Sequence, residues 1–366
     1  MNTSTRRQAI GVHAIGVYLP DEVRSNDWWP SATVAKWRER GHWAVASREQ
    51  KGMPTDLTPG MRAATDAMAK LADDPFKGSR ERRIAPADMP ASEMEIRAAR
   101  EAITRAGISP DQIEVLLVHS TTPDFLNVPN ACRVHQALGL PERCFAMSVD
   151  GMCNAFQMQL KLAQSLLRER QGGFALLVQS CNLPRFAVAD DPASAWVGEG
   201  ATAVLLGPVH AELGLLTSSH RADGSKFKAL VVGVEGKNWY DEGRTTFYSA
   251  DRAAGARVAL EIPDQAKQVI DEVLLEIGSQ PADVAFYAAH QGVVWLREVT
   301  QRFVGMDQAK SLDTFSRFAS LSAANIPLVL AIAERERLLS RGDLTMLFSG
   351  GTGQTWSSTA LRWGKD

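Results

Sequence analysis

Three segments of this 366-residue chain pair reactive side chains or open backbone with a placement suited to chemistry. Cys153 stands between an apolar run, CFAMSV (144–149), and a helical pattern opening NAFQMQLKLAQSLLRER (154–170). A thiol there gains from the helix dipole and free N–H groups, which favour thiolate; the same N–H groups can hold an oxyanion after attack on a carbonyl. His290 ends an apolar strand, where α/β proteins open their ligand crevice, and His119 holds the same place earlier in the chain. The third segment is SGGTGQTW (349–356), a Gly-rich turn able to present backbone N–H groups. It fits neither a phosphate loop nor a dinucleotide fingerprint. Against these readings stand the ordinary ones, an inert buried cysteine and a satisfied structural histidine.

The elements around these residues repeat. Residues 92–106 have helical periodicity, Gly107 closes them, Pro110 follows, and an apolar strand runs to His119. Residues 264–277, Gly278, Pro281 and His290 reproduce the register, with the histidine twelve residues after the glycine in both copies. The helix 154–170 then leads into the strand 174–180, as the helix 323–339 leads into 344–350. Alternating strands and helices imply parallel βαβ units with right-handed crossovers. The expected architecture is α/β and duplicated, with halves 1–208 and 209–366. Residues 9–19 read as a buried strand. Residues 25–80 carry Trp28, Trp29, Trp37 and Trp43 of the nine tryptophans and read as a largely helical insertion, packed on the body or lying over a substrate mouth.

Composition narrows the function. The chain is 45% hydrophobic and 22% charged, with 40 basic against 42 acidic residues and a pI near 6.4. That balance excludes a disordered chain and supplies no field for a nucleic-acid backbone. No run approaches the roughly 20 apolar residues of a membrane span, and the N-terminus lacks a signal-peptide core. A cytoplasmic protein with reduced thiols is expected. Cys132, Cys144 and Cys181 read as packing, and no Cys/His spacing suits a metal.

Several ordered segments together resemble the ketoacyl-acyl-carrier-protein synthase III enzymes of the thiolase superfamily. They are ERRIAPADMPASEMEIRAAREAITRAGISPDQIEVLLVHSTTPD, VDGMCNAF, GEGATAVLL, AAHQG, FASLSAANIP and GGTGQTWSSTALRW. The resemblance covers about residues 9–24 and 78–366. It implies a five-layered αβαβα fold, a homodimer, and acyl-CoA or acyl-carrier-protein thioesters as substrates with no permanently bound cofactor. It makes Cys153 the nucleophile and places His290 in the family's His-Gln-Ala motif, here His290-Gln291-Gly292. Cys153 and Gly353 then supply the oxyanion N–H groups.

Departures from the family pattern shape the expected reaction. The family's Gly-Asn-Thr-Ser-Ala-Ala-Ser stretch is here Ala319-Ser320-Leu321-Ser322-Ala323-Ala324-Asn325, so Ser320 occupies the place of the asparagine. In chain-extending members that asparagine and the histidine hold the thioester oxygen of malonyl carrier protein; a serine hydroxyl donates only one hydrogen bond. Asn325 lies where some acyl-transferring relatives carry a polar residue that orients the histidine, and it also suits a helix N-cap. VDGMCNAF is closer to the acyltransferase branch of specialised metabolism, and Ala155 replaces a family glycine beside the nucleophile.

The expected activity is therefore acyl transfer from a thioester through Cys153 to a small alcohol or amine acceptor, as in polyketide biosynthesis. Decarboxylative or non-decarboxylative Claisen condensation is the alternative within the family. A non-catalytic thiolase-fold partner subunit and a cysteine hydrolase are the readings outside it. Arg82, Arg83, Arg297 and Arg302 read as solvated surface charge, or else as a docking site for an acidic carrier protein.

Overall fold

Long apolar runs without alternation need cover on both faces, and the strands at the centre of this chain have it. In the computed structural model, which describes residues 9–51 (backbone only for 42–51), 56–170 and 173–365, β6 (Phe174–Cys181) and β7 (Gly200–Val209) are buried almost end to end. With β1 (Ala9–Tyr18), β4 (Ile113–Ser120) and β5 (Phe145–Ser148) they form a sheet of order β1-β7-β6-β4-β5. A second sheet runs β8 (Gly214–Ala222), β13 (Thr355–Arg362), β12 (Leu344–Gly351), β11 (Phe286–Ala289). Read in that direction, its pairings are antiparallel, antiparallel and parallel, the same as those of β1-β7-β6-β4. The chain passes from one sheet to the other between Val209 and Gly214.

Five layers result. Between the sheets lie α5 (Ala155–Glu169) and α9 (Asn325–Arg335); Phe156, Leu160, Ala163 and Leu167 pack with Ile326, Val329 and Leu330 in one apolar core. Outside the first sheet are α3 (Ala91–Ala106) and α4 (Asn130–Leu138). Outside the second are α2 (Pro59–Ala69), α6 (Arg252–Ile277) and α7 (Leu296–Phe303). The repeat read from the sequence is visible in the backbone. Gly107 and Gly278 end α3 and α6 in the left-handed conformation, at φ 67° and 65°, and each is followed by a Pro-initiated 3-10 turn that enters a strand. Two helices differ from expectation. α6 begins twelve residues before 264 and runs through Pro263, because Asp251 caps its N-terminus. α9 is shorter than 323–339, and Arg337 just beyond it has φ 58°.

The insertion is helical, with α1 (Ser31–Lys51) and α2, and it is framed by the paired strands β2 (Glu22–Ser25) and β3 (Glu81–Ile84). Trp29, Trp37 and Phe76 stack with centroids 5.8–6.0 Å apart, and Trp37 donates to the Asp190 carbonyl at 2.7 Å. Trp28 is half exposed beneath Arg24, and Trp43 lies outside the described side chains. Arg82 on β3 corrects the surface-charge and docking readings. It is fully buried over the Trp29 ring, and it donates to Arg24 O, Asn26 Oδ1, Ser79 Oγ and Ala195 O at 2.7–3.0 Å. Four acceptors and an aromatic face replace its water, so the charge is structural. Of the other three, Arg302 is the solvated surface charge expected, 69% exposed, whereas Arg297 and Arg83 are partly covered. Arg297 pairs with Asp313, Arg302 with Glu298, and Arg83 donates to the Pro20 and Asp21 carbonyls.

α3 also buries a carboxyl. Glu95 accepts from Ser120 Oγ at 2.5 Å, Ser180 Oγ at 2.6 Å and Asn130 Nδ2 at 3.1 Å. Burial outweighs those donors and pushes its pKa up to about 7. The folded protein thus binds a proton that the unfolded chain releases near pH 4.5. Stability from this group is fully present below that pH and lost as pH rises through about 7. Urea midpoints should therefore fall between pH 5 and 8, and Glu95→Gln should flatten the fall by roughly 2–3 kcal/mol. An unchanged slope in the variant would assign it to another group.

Candidate active site

After β5 the chain turns through Gly151 into a 3-10 turn, Met152–Asn154, that feeds α5. Met152 has φ 48°, a left-handed conformation that is strained for a side chain of its size and places Cys153 at the head of the helix. The Ser322 hydroxyl donates to Cys153 Sγ at 3.4 Å across 169 residues of sequence. Burial alone would raise the thiol's pKa, but the charge and hydrogen bond of His290, the Ser322 hydroxyl and the residue's own N–H outweigh it, so the pKa falls below the ordinary value. The other buried thiols go the opposite way: burial pushes Cys144 up to about 11 and Cys181 higher still. Cys132 is not packing, as the sequence suggested. It is exposed on α4, whose Ala131, Val134 and Leu138 face inward.

His290 follows β11 directly, its N–H bonded to the Phe348 carbonyl at 2.8 Å. Gln291 anchors it from behind. The buried amide accepts from Thr314 N and Phe315 N and donates to the Leu312 carbonyl. Gly292 leaves room for the ring, since a Cβ there would stand 2.8 Å from His290 Nε2. His119 has a different surrounding: it is buried, its Nδ1 donates to the Val149 carbonyl at 3.1 Å, and burial lowers its pKa.

The segment 319–325 bends through two left-handed residues, Ala319 at φ 54° and Ser322 at φ 51°. Ser320 Oγ accepts the Ser322 N–H at 3.4 Å. Asn325 is no N-cap; its Oδ1 accepts the N–H groups of Gln291 and Leu321, each at 3.4 Å, and so ties α9 to the backbone beside His290. His290 Nδ1 and Asn325 Nδ2 are among the ten buried side-chain polar atoms of the described residues that have no protein partner. Ser322 was not singled out from sequence. Its only signal was a second serine in a stretch where the family carries serine too.

The Gly-rich tail is the hairpin between β12 and β13, with Gly353 at φ 83° in its turn. Gly351 makes the close approach to the Cys153 turn: a Cβ there would meet Gly151 O at 2.6 Å and Asn154 N at 3.1 Å. Cys153, His290, Ser320, Ser322, Asn325 and the hairpin thus come from both halves of the chain. Among the described residues no His, Cys, Asp or Glu cluster could hold a metal, and no helix is long and apolar enough to cross a membrane.

Two mixed sheets sandwiching α5 and α9, with a cysteine at the head of α5, define a thiolase-fold enzyme. Comparison with known proteins narrows the class. The C-terminal model of 3-oxoacyl-[acyl-carrier-protein] synthase III matches residues 274–363, and a second model of that enzyme matches residues 147–224. A beta-ketoacyl-[acyl-carrier-protein] synthase III of Erythrobacter litoralis is 30% identical over 292 residues, covering 78% of this chain and 88% of the relative. A 3-oxopimeloyl-[acyl-carrier-protein] synthase of Rhodothermus marinus is 32% identical over 294 residues, covering 78% and 83%. The crystal structure of 3-oxoacyl-(acyl carrier protein) synthase III from Pseudomonas aeruginosa matches with a TM-score of 0.76 at 25% identity, over 98% of this chain and 99% of that one. The chain belongs to the beta-ketoacyl-acyl-carrier-protein synthase III family of acyltransferases.

The contacts around Sγ give a direct test. Ser322→Ala removes a donor to the thiolate, and Gly292→Ala forces the imidazole to shift. Each should move the pH midpoint of Cys153 alkylation by iodoacetamide upward, with Cys153→Ala as the blank. An unmoved midpoint in both would show that neither group tunes the thiol.

Proposed function

We propose that this enzyme transfers an acyl group from a coenzyme A or carrier-protein thioester, through Cys153, to a small alcohol or amine in specialised metabolism. The thiolate attacks the thioester carbonyl, the N–H groups of Cys153 and Gly353 receive the oxyanion, and the carrier thiol leaves. His290 then takes the acceptor's proton as the acceptor attacks the acyl-enzyme and frees the thiolate. Asn325 positions the backbone at Gln291, and Ser320 holds the Ser322 segment. Val197, on a small depression lined also by Leu183, Asp191 and Phe247, bridges to Ser320.

The observation that carries this reading is the placement of Ser320. Its oxygen accepts the Ser322 N–H at 3.4 Å, and the position that holds a malonyl thioester oxygen in chain-extending relatives carries a short side chain with one O–H to give in place of an amide with two N–H groups. Family membership favours the second reading, Claisen condensation of two acyl thioesters. Intact-mass spectrometry with acyl-CoA and acyl-carrier-protein donors should show acylation of the wild type and none of Cys153→Ala. Adding a hydroxylated or amine acceptor should discharge the adduct. Discharge by malonyl carrier protein with release of CO₂, and not by such acceptors, would make the enzyme a condensing one.

The active unit in this reading is a homodimer. β5 is an edge strand with Phe145 and Met147 exposed, beside a loop exposing Phe125, Leu126 and Val128. An unpaired edge and exposed large apolar side chains are what a second copy of the chain would cover. Sedimentation velocity should give a dimer, and Leu126→Asp with Met147→Lys should shift it to monomer. A monomeric wild type at micromolar concentration would end this part of the proposal.

A further inference from the structure

Asn154, the residue after the nucleophile, is fully buried and reaches across the molecule with both ends of its amide. Its Oδ1 accepts from Ser349 Oγ at 2.7 Å, on β12. Its Nδ2 donates to Thr355 Oγ1 at 3.2 Å and Ser357 Oγ at 2.9 Å, both on β13. One side chain therefore grips both arms of the hairpin whose turn contains Gly353. Its backbone N–H closes the nucleophile turn on Gly151 O at 3.0 Å, the carbonyl against which Gly351 packs.

The hydrogen bonds continue beyond the hairpin. Ser357 Oγ accepts from Asn154 and is hydrogen-bonded to His220 Nδ1 at 2.8 Å. His220 Nε2 is in turn hydrogen-bonded to Ser218 Oγ at 3.1 Å on β8. Burial together with the nearby Lys161 charge lowers the His220 pKa and favours the neutral ring. The clamp is thus anchored through three adjacent strands, and fully satisfied buried networks of this kind hold one geometry.

We propose that Asn154 is the positioning residue of the oxyanion site, setting the separation of the Cys153 and Gly353 N–H groups by locking the nucleophile turn to both arms of the β12–β13 hairpin. This rests on the acyl-enzyme reading above. It predicts a division of effects: attack on a carbonyl, which builds an oxyanion, depends on the clamp, whereas alkylation of the same sulfur does not. Donors lost from such a site elsewhere cost on the order of 10²–10³ in rate, and displaced donors cost a part of that.

The test compares two reactions of Cys153 in the full-length protein. With p-nitrophenyl acetate, the thiolate attacks the ester carbonyl, an acetyl thioester forms and p-nitrophenolate leaves. With iodoacetamide, the thiolate displaces iodide and no oxyanion forms. Asn154→Ala should slow the Cys153-dependent nitrophenolate burst by about 10-fold or more, and Ser349→Ala, which removes one of the three bonds, by about 3-fold. Iodoacetamide alkylation should stay within about twofold of wild type in both. A burst within twofold of wild type, a parallel loss in both reactions, or a wild type without a Cys153-dependent burst would overturn the proposal. Thermal melts check folding; if Asn154→Ala does not fold, Ser349→Ala decides by the same split. The activated ester needs no carrier, so inertness toward acyl-CoA and acyl carrier protein would remove the donor assignment and leave this result to stand or fall by itself.

Discussion

The site depends on the apolar layer that α5 and α9 share between the two sheets. Phe156 and Leu160 on one helix meet Ile326, Val329 and Leu330 on the other, and burial of that seam fixes how the halves face each other. The head of α5 carries Cys153, and the head of α9 carries Asn325, three residues after Ser322. Packing of two helix stripes therefore brings a hydroxyl within 3.4 Å of the Cys153 sulfur from 169 residues away. The strands flanking the seam deliver His290 and the Gly-rich hairpin to the same end.

Around that seam the local backbone is strained beside Cys153. Met152, Ala319 and Ser322 all adopt positive φ, each adjacent to or at a residue that contacts the thiol or supports the contact. Such conformations cost of order 1–3 kcal/mol apiece and persist because surrounding hydrogen bonds over-determine them. Asn154 and Gln291 supply such bonds through amides that donate and accept at once, and Asn325 through its Oδ1 alone. Burial then separates the thiols: two are pushed toward inertness by desolvation, and one is rescued by a histidine and a serine.

Much of this was readable in the residues, for specific reasons. The Gly–Pro–His register at 107–119 and 278–290 exposed the duplication because a left-handed cap and a Pro-initiated turn have strong side-chain requirements. Cys153 and His290 were legible because their types are rare and their places at element ends distinctive. Arg82 was misread: charge predicts exposure, and only the Trp29 ring and four converging oxygens supply the exception. Cys132 was misplaced because its helix is short and its inward face is set by neighbours.

The sequence by itself determined the α/β grammar, the repeat, and the places of Cys153 and His290 at element ends, since these follow from local periodicity, turn chemistry and residue type. Tertiary structure alone decided which serine touches the sulfur, how Ser320 and Asn325 spend their hydrogen bonds, and that Asn154 joins the nucleophile turn to the hairpin. Those are contacts between segments as much as 203 residues apart, set by the angle and depth at which two sheets close on α5 and α9. Hydrogen bonds are directional to within tenths of an ångström, so a pattern that specifies the layers leaves the donor–acceptor pairs to the packing.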